Sequence, residues 1–370
     1  MQQRVIISQD IEHDLAQAIA ETEHDRVFVL TDDITQECCL PKVAVLFAKH
    51  NATTITIRHD DTNKTLATLA DVWTALQWGG ATRHSLLVNL GGGMVTDLGG
   101  FAAATFKRGI NFINIPTTLL AMVDAAVGGK TGINFGGLKN EVGAFANARY
   151  VIVNTCFLDT LDTANLCSGY AEMLKHSLIS NAQMWAEHVN FDILQPDLAE
   201  LQRMVAASIA VKEHIVADDP HEHGIRKALN FGHTIGHALE EFSMQQQGGA
   251  VVSARLLPLA RARTAPKNTL LHGYAVAFGL IGELYISARK AGFPTARLHQ
   301  TARFIRENYG AVAFTCDDYP TLLNLMRHDK KNTSDTINFT LLHDIGDIRI
   351  NQTATDEEIR EALDFIREGY

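Results

Sequence analysis

The stretch that decides the fold is Ser85-Leu-Leu-Val-Asn-Leu-Gly-Gly-Gly-Met-Val-Thr-Asp97, where a strand-length apolar run passes through three glycines into a helical pattern. Similar apolar runs recur through the first 155 residues, and amphipathic stretches such as 66–76 separate them. Strands that alternate with helices indicate a largely parallel sheet with helices on its faces. The other predicted strands are 26–31, 53–57, 111–115 and 150–153.

The second part of the chain has a different pattern. From about residue 160 to 330 the apolar spacing is almost entirely helical, and strand-like runs at 336–342 and 348–350 predict a late β-hairpin. The predicted fold class is α/β, with an N-terminal α/β nucleotide-binding domain and a mainly helical metal-binding domain after it. The predicted domains are 1–154 and 155–370, with an insertion at about 245–268.

Composition limits the class of protein and its partners. The 370 residues are 46% hydrophobic and 20% charged, as in ordinary globular proteins, and the length suits roughly two domains. A net charge of −10 argues against nucleic acid as the partner. Five cysteines without a C-x-x-C pair, no signal peptide and no long apolar run predict a cytoplasmic protein without a membrane span.

Two glycine clusters are candidates for contact with phosphate groups. The triplet 91–93 lies where a helix begins, so its backbone amides and the helix dipole could face a pyrophosphate. A tight turn without a ligand explains such a triplet about equally well, and the pattern differs from G-x-G-x-x-G. The second cluster, 127–132, resembles a phosphate loop but lacks the first glycine of the Walker A spacing, which excludes an NTPase.

Histidines in the helical part suggest a metal site. His233 and His237 lie four residues apart on one helical face, His272 opens another helical run, and Glu172 shares a face with Lys175. Two imidazoles and a carboxylate are a usual ligand set of catalytic zinc. The alternative is that each histidine only caps or packs a helix. Spacing alone makes both His233 and His237 metal ligands.

Basic residues are scattered around these motifs. If they converged on one site, they would suit a substrate that carries both a carboxylate and a phosphate. Each one taken singly is more often a solvated surface residue. The candidates are Lys130, Lys139, Lys212, Arg226 and Lys330.

Taken together in this order, the motifs resemble the 3-dehydroquinate synthase family of the sugar phosphate cyclase superfamily. The resemblance extends over most of residues 26–345, and the combination of blocks is highly specific. The matching blocks are GGGMVTDLGGFAAATFKRG (91–109), IPTTLLAMVDAAVGGKTGIN (115–134), GLKNEVGAF (137–145), GYAEMLKH (169–176), VKEHIVADD (211–219), IRKALNFGHTIGHALE (225–240), LHGYAVAFG (271–279) and HDKKN (328–332).

The resemblance implies a dehydroquinate synthase-like fold and a cytoplasmic, homodimeric lyase of the shikimate pathway, which supplies chorismate and aromatic amino acids. Such an enzyme uses NAD and a divalent metal, zinc or cobalt. It converts 3-deoxy-D-arabino-heptulosonate 7-phosphate to 3-dehydroquinate and phosphate. The steps are transient oxidation by NAD, phosphate elimination, reduction, ring opening and intramolecular aldol closure.

The resemblance also implies roles for individual residues. The metal ligands become Glu172, His233 and His272, whereas His237 becomes a substrate-facing residue that helps move protons. Arg108 matches a residue that reaches the phosphate site of a neighbouring subunit. The substrate-binding positions are Lys130, Lys139, Asn140, Lys175, Lys212, Arg226, Asn230 and Lys330. The NAD-binding positions are Asp32, Asp61, Lys64, Gly91, Gly92, Gly93, Asp97, Thr117, Thr118, Asp124, Lys130 and Lys139.

The chain departs from the family pattern in places. Tyr274 stands where a glutamate often follows the metal histidine and glycine, and 161–165 replaces Leu-Pro-x-Arg-Glu. Three other functions stay open. One is a sugar phosphate cyclase of the 2-deoxy-scyllo-inosose or valiolone type, one is a metal-dependent polyol dehydrogenase, and one is a catalytically silent relative.

Overall fold

The computed structural model describes residues 3–246, 251–252, 269–328 and 336–368. The chain divides into two compact units. The first comprises Met1–Leu161 and Asp197–Ile209, and the second comprises Asp162–Pro196 and Ala210–Tyr370. Most of the insertion predicted at 245–268, and Lys330, lie outside the described residues.

The first unit is built on a six-stranded sheet in which every neighbouring pair is parallel, in the order β1-β8-β5-β4-β2-β3. Strands β4 and β2, which both have neighbours on either side in the sheet, are buried at every residue, as a sheet covered on both faces requires. All five predicted strands are confirmed. The strands are β1 (Arg4–Ile7), β2 (Val27–Asp32), β3 (Thr53–Ile57), β4 (Leu86–Gly91), β5 (Asn111–Pro116) and β8 (Tyr150–Val153).

Helices connect these strands. The helix after β4 begins at the glycine triplet, as predicted, and the amphipathic stretch at 66–76 is helical. The helices of this unit are α1 (Ile11–Glu21), α2 (Asp33–Cys38), α3 (Ala44–Lys49), α4 (Leu66–Trp78) and α5 (Gly93–Thr105).

The second glycine cluster differs from a phosphate loop, because it leads into a strand instead of a helix. Strand β6 (Lys130–Phe135) pairs antiparallel with β7 (Leu138–Phe145). Gly129 adopts a φ of +70°, and a Cβ there would lie 2.3 Å from Asn147 Oδ1. The glycines therefore make a turn into a hairpin that the apolar pattern alone did not predict.

The second unit is mainly helical, as predicted, and it contains the predicted late hairpin. Helix α8 begins in the first unit and ends in the second. The helices are α6 (Thr163–Ser180), α7 (Ala182–Asn190), α8 (Leu198–Asp218), α9 (His233–Gln245), α10 (His272–Lys290), α11 (Thr295–Tyr309), α12 (Tyr319–Arg327) and α13 (Asp356–Glu368). The strands are β9 (Val251–Val252), β10 (Ala311–Val312), β11 (Asn338–Asp344) and β12 (Asp347–Thr353). The predicted α/β fold class is confirmed.

Helix α10 packs against α6 and α9 at glycines. A Cβ on Gly273 would lie 1.8 Å from the backbone oxygen of Ser168 in α6, and a Cβ on Gly279 would lie 1.9 Å from that of Gly232 before α9. Side chains at these positions would force the helices apart, so glycine permits their close approach. None of the helices in the described residues is long and apolar enough to cross a membrane.

Candidate active site

Three helices of the second unit bring the predicted metal ligands together. Glu172 lies on α6, His233 and His237 on α9, and His272 on α10. The ligating atoms of the three histidines lie within 4.8 Å of one another. Glu172 Oε1 lies 3.4 Å from His233 Nε2 and 3.5 Å from His272 Nε2. The helical spacing seen in the sequence therefore produces one compact cluster.

The cluster has the dimensions and chemistry of a metal site. Donor atoms about 2.0–2.2 Å from a tetrahedral ion lie roughly 3.3–3.6 Å apart, which is the separation between Glu172 Oε1 and the two imidazole nitrogens. Both oxygens of Glu172 are fully buried. Oε2 pairs with the Lys175 ammonium, whereas Oε1 lies beside the two imidazoles and accepts no hydrogen bond from a described residue. Buried carboxylates normally have such partners. The donor set therefore fits a divalent metal.

Charged neighbours set the protonation of these ligands. The Lys175 ammonium, which is also buried, forms an ion pair with Glu172 one turn along α6. Burial raises the pKa of the Glu172 carboxyl, but Lys175 and His233 outweigh it and hold the pKa well below its usual range. Burial lowers the pKa of His272, but the Glu240 and Glu172 carboxylates raise it to about 10. Glu172 is therefore ionised at neutral pH, as a metal ligand must be.

Glu240 was not predicted from the sequence, although it contacts a candidate ligand. It lies on α9, and its Oε2 is 3.0 Å from His272 Nδ1. Its position three residues after His237 continues the helical face that carries both α9 histidines, so the spacing contained the signal. This contact orients His272 across the helix interface.

Glu283 was also missed. It is fully buried on α10, and it accepts hydrogen bonds from backbone amides of Gly232, Thr234 and Ile235 at 2.7, 2.9 and 3.2 Å. These amides belong to the first turn of α9, which begins at His233. A single acid within the apolar face of α10 was the available signal, because such residues are rarely buried without partners.

Two of the predicted substrate-binding cations of this unit, Lys212 and Arg226, are also buried. Lys212 lies on α8, and Arg226 lies in the 3₁₀ segment Ile225–Asn230 that leads directly into the α9 cap. Arg226 Nη1 donates to Pro220 O at 2.6 Å, and Asn230 Nδ2 donates to Glu222 Oε1 at 2.6 Å. Their functional roles stay predictions.

In the first unit, the glycine triplet forms the start of α5 as predicted. Gly92 is the N-cap and provides no side chain to the helix amides, and a Cβ on it would lie 3.0 Å from Thr118 Cγ2. The backbone amide of Thr117 donates to Gly91 O at 3.0 Å and joins the next loop to this turn. The turn leaves a helix N-terminus available to an anion.

Five of the other predicted residues of this unit form one polar network. Lys64 is buried, and its Nζ lies 3.1 Å from Asp97 Oδ2, 3.4 Å from Asp61 Oδ1 and 2.5 Å from Asn140 Oδ1. Burial raises the pKa of Asp97 to about 6, although Lys64 opposes the shift. Lys139 Nζ reaches the other oxygen of Asp61 at 3.2 Å. The sequence separated these residues by up to 79 positions, and the fold brings them together.

The remaining predicted residues of the first unit lie on different elements. Asp32 accepts from the Thr35 amide at 2.7 Å in a capping box that begins α2, and burial raises its pKa. Arg108 is exposed and has a φ of +70°. Lys130 is exposed at the start of β6, and Asp124 lies in the π-helical turn Ala121–Ala125. Their functional roles stay predictions.

The departures from the family pattern have local structural explanations. Asp162 caps α6, accepting from the Asn165 amide at 2.8 Å and from its side chain at 2.8 Å. Tyr274 is buried with its ring centroid 5.1 Å from that of Tyr309. Asp162 and Asn165 therefore form the cap of the helix that carries Glu172, and Tyr274 packs its ring against Tyr309.

Comparison with known proteins identifies the family. Residues 54–168 match the 3-dehydroquinate synthase N-terminal model, and residues 169–257 and 260–332 match the C-terminal one. The chain is 50% identical to a 3-dehydroquinate synthase from Parabacteroides distasonis over 369 residues, which cover 100% of this chain and 99% of the relative.

Solved structures share the fold at lower identity. A 2-deoxy-scyllo-inosose synthase complexed with carbaglucose-6-phosphate, NAD⁺ and Co²⁺ has a TM-score of 0.82 at 22% identity, covering 100% of this chain and 96% of that one. The 2-epi-5-epi-valiolone synthase from Streptomyces hygroscopicus, with NAD⁺ and Zn²⁺ bound, has a TM-score of 0.80 at 24% identity, covering 100% and 98%. The full-length sequence identity and both family matches show that this chain belongs to the 3-dehydroquinate synthase family.

Proposed function

We propose that this chain is the enzyme that converts 3-deoxy-D-arabino-heptulosonate 7-phosphate to 3-dehydroquinate and phosphate. The observation that carries the proposal is the buried cluster of Glu172, His233 and His272 beside the Lys175 ammonium. Relatives of the chain over its full length carry the same activity in their names. The domain assignment is that residues 1–154 bind NAD and residues 155–370 bind the metal and most of the substrate.

The metal would be held by Glu172, His233 and His272. Two relatives of the same fold contain Co²⁺ and Zn²⁺ respectively, which supports a divalent ion here. When bound, it supplies Lewis acidity toward the substrate hydroxyls. Lys175 keeps Glu172 ionised, so this carboxylate is ready to act as a ligand.

The cations would bind the charged groups of the substrate. Lys175, Lys212, Arg226 and the exposed Lys130 provide positive charge for a carboxylate and a phosphate, and Asn230 provides a neutral donor. Lys139, Asn140, Lys330 and Arg108 complete the predicted set. Fixed cations would stabilise the leaving phosphate and orient the open-chain intermediate for ring closure.

His237 would serve in proton movement. It lies one turn after His233 on α9, with ring centroids 5.2 Å apart, and it is partly exposed. A neutral imidazole there can accept a proton from a substrate hydroxyl and return it.

NAD would bind at the glycine turn of the first unit. The helix N-terminus behind Gly91, Gly92 and Gly93 suits the pyrophosphate, and Thr117 and Thr118 border it. Asp32, Asp61, Lys64, Asp97 and Asp124 complete the predicted NAD-binding set. Bound there, NAD would supply reversible hydride transfer within one turnover, so no net NADH would form. The structural relatives that contain NAD⁺ support this assignment.

The working form would be a cytoplasmic homodimer. Hairpin β6–β7 exposes Phe135, Leu138, Val142 and Phe145 at 54, 50, 39 and 58%. Exposed apolar groups gathered on one hairpin are typical of an interaction surface, and a second copy of the chain is the proposed occupant. Sedimentation of Phe135→Ser/Phe145→Ser protein would test this, with a monomer as the expected result.

The experiment that tests the function is phosphate release from the heptulosonate phosphate by purified protein with Zn²⁺ and NAD. Catalytic NAD should suffice, and NADH should not accumulate. Glucose 6-phosphate and sedoheptulose 7-phosphate are run in parallel to detect another sugar phosphate cyclase. Net NADH would indicate a polyol dehydrogenase, and no reaction with any substrate would contradict the proposal.

A further inference from the structure

We propose that Glu240 and Glu283 are a reciprocal pair of positioning residues for the metal ligands on α9 and α10. Glu240 comes from α9 and orients His272 of α10. Glu283 comes from α10 and holds the first turn of α9, where His233 lies. The inference rests on the metal site of the proposed function and assigns roles to two residues that have none there.

The contact of Glu240 fixes which nitrogen of His272 faces the cluster. An ionised carboxylate only accepts hydrogen bonds, so the Nδ1 atom 3.0 Å from Glu240 Oε2 carries a proton. If the ring loses its second proton to a bound metal, its lone pair is therefore on Nε2, the atom that lies 3.5 Å from Glu172 Oε1. A carboxylate behind a ligating histidine orients the ring and raises its basicity.

Glu283 orders the other helix. Gly232, the N-cap of α9, has a φ of +80° and no side chain to accept from the helix amides. Glu283 takes that role from α10, because its two oxygens accept from three amides around His233. A negative charge also suits the positive end of the helix. The backbone that carries His233 is therefore held by the helix that carries His272.

The two contacts have a combined consequence. Each helix provides a ligand and also the carboxylate that orders the ligand of the other helix. Separation of α9 from α10 breaks both contacts at once. We therefore expect metal affinity to depend on both carboxylates.

The test measures Zn²⁺ affinity by competition with a chromogenic chelator, on metal-free Glu240→Gln and Glu283→Gln proteins. A Gln at 240 can still accept from Nδ1 but lacks the charge, and Glu240→Leu removes the acceptor. A Gln at 283 presents an NH₂ group that cannot accept, so one of the amides loses its partner. Affinity should fall about 10- to 100-fold in each Gln variant, and more in Glu240→Leu.

Glu241→Gln is the matched control. Glu241 is the next residue on α9, where its carboxylate accepts from Gln245 at 3.3 Å, so the change removes the same charge from the same helix. Its affinity should equal that of the wild type. The visible spectrum of the Co²⁺-loaded protein should change in the two Gln variants and stay constant in the control.

Outcomes separate the inference from the proposed function. Suppose that the wild type binds one Zn²⁺ and releases phosphate, and that either Gln variant binds Zn²⁺ with the affinity of the wild type. That result overturns the reciprocal pair and does not affect the proposed function. A wild type that binds no Zn²⁺ overturns both. Circular dichroism of the metal-free variants establishes that they are folded. If Glu283→Gln does not fold, Glu283→Asp replaces it, because its carboxylate is on a side chain one methylene shorter.

Discussion

The substitution Gly279→Ala should separate the two ligand helices. A Cβ at this position would lie 1.9 Å from the backbone oxygen of Gly232 and 2.8 Å from the backbone nitrogen of Gly236. Both obstacles are backbone atoms at the start of α9, so rotation of a side chain cannot relieve them. Gly282→Ala makes the same change three residues later on α10. Its Cβ would meet only the side-chain ends of Ile235 and Ile366, at 2.7 and 2.8 Å.

The two variants should therefore respond in opposite directions. Either alanine gains about 1 kcal/mol of helix propensity over glycine. At Gly279 the clash costs about 1–3 kcal/mol or more, because the carbonyl must move by about 1.5 Å to reach a normal contact. That carbonyl precedes His233 directly. A ligand displaced by about 1 Å can reduce catalysis by about 100-fold.

Urea unfolding of the metal-free proteins and kcat/KM for phosphate release provide the two measurements. Gly282→Ala should be as stable as the wild type or slightly more stable, with near-normal activity. Gly279→Ala should lose stability and about two orders of magnitude of kcat/KM. Equal stability and activity in the two variants would refute the reasoning that the backbone contact sets the ligand geometry.

Three further changes test other parts of the structure. In metal-free protein, Glu172→Gln leaves the Lys175 ammonium buried without its carboxylate. The free energy of unfolding in urea should therefore fall by about 3–5 kcal/mol. An unchanged urea midpoint of unfolding would contradict the importance of this ion pair. The pKa of His272 is raised from 6.5 to about 10, so the folded state binds the extra proton. The metal-free protein should therefore lose stability as pH rises from 6.5 toward 10, by at most about 1.4 kcal/mol per pH unit, whereas His272→Gln protein should show a flatter profile. Gly92→Ala places a methyl group over the start of α5. NAD affinity measured by fluorescence should therefore fall about tenfold or more, while the Tm stays unchanged. Normal NAD binding by this variant would indicate that the pyrophosphate binds elsewhere.

The sequence identified the elements of the fold because their patterns are local. Continuous apolar runs of strand length gave the buried parallel strands, and the glycine triplet marked the start of α5. Strand β1 and the hairpin β6–β7 were missed. The hairpin is largely exposed, so its strands lack the continuous apolar run of a buried strand. Its glycines also resembled a phosphate loop, which predicts a helix after them instead of a strand.

Local spacing also selected the candidate ligands, since residues four apart on a helix must share a face. Spacing alone gave His233 and His237 equal status, and the structure indeed brings both close to His272. The resemblance to a family separated their predicted roles.

What the sequence determined by itself was the class of fold, the family and the residue types of the site, because periodicity and motif order are properties of the chain. The tertiary structure alone decided which carboxylates hold the histidines. Glu240 contacts a histidine 32 positions away, and Glu283 contacts amides 48 to 51 positions away. Such contacts depend on how closely α9 and α10 approach, and that distance is set by glycines whose effect appears only when the helices are packed.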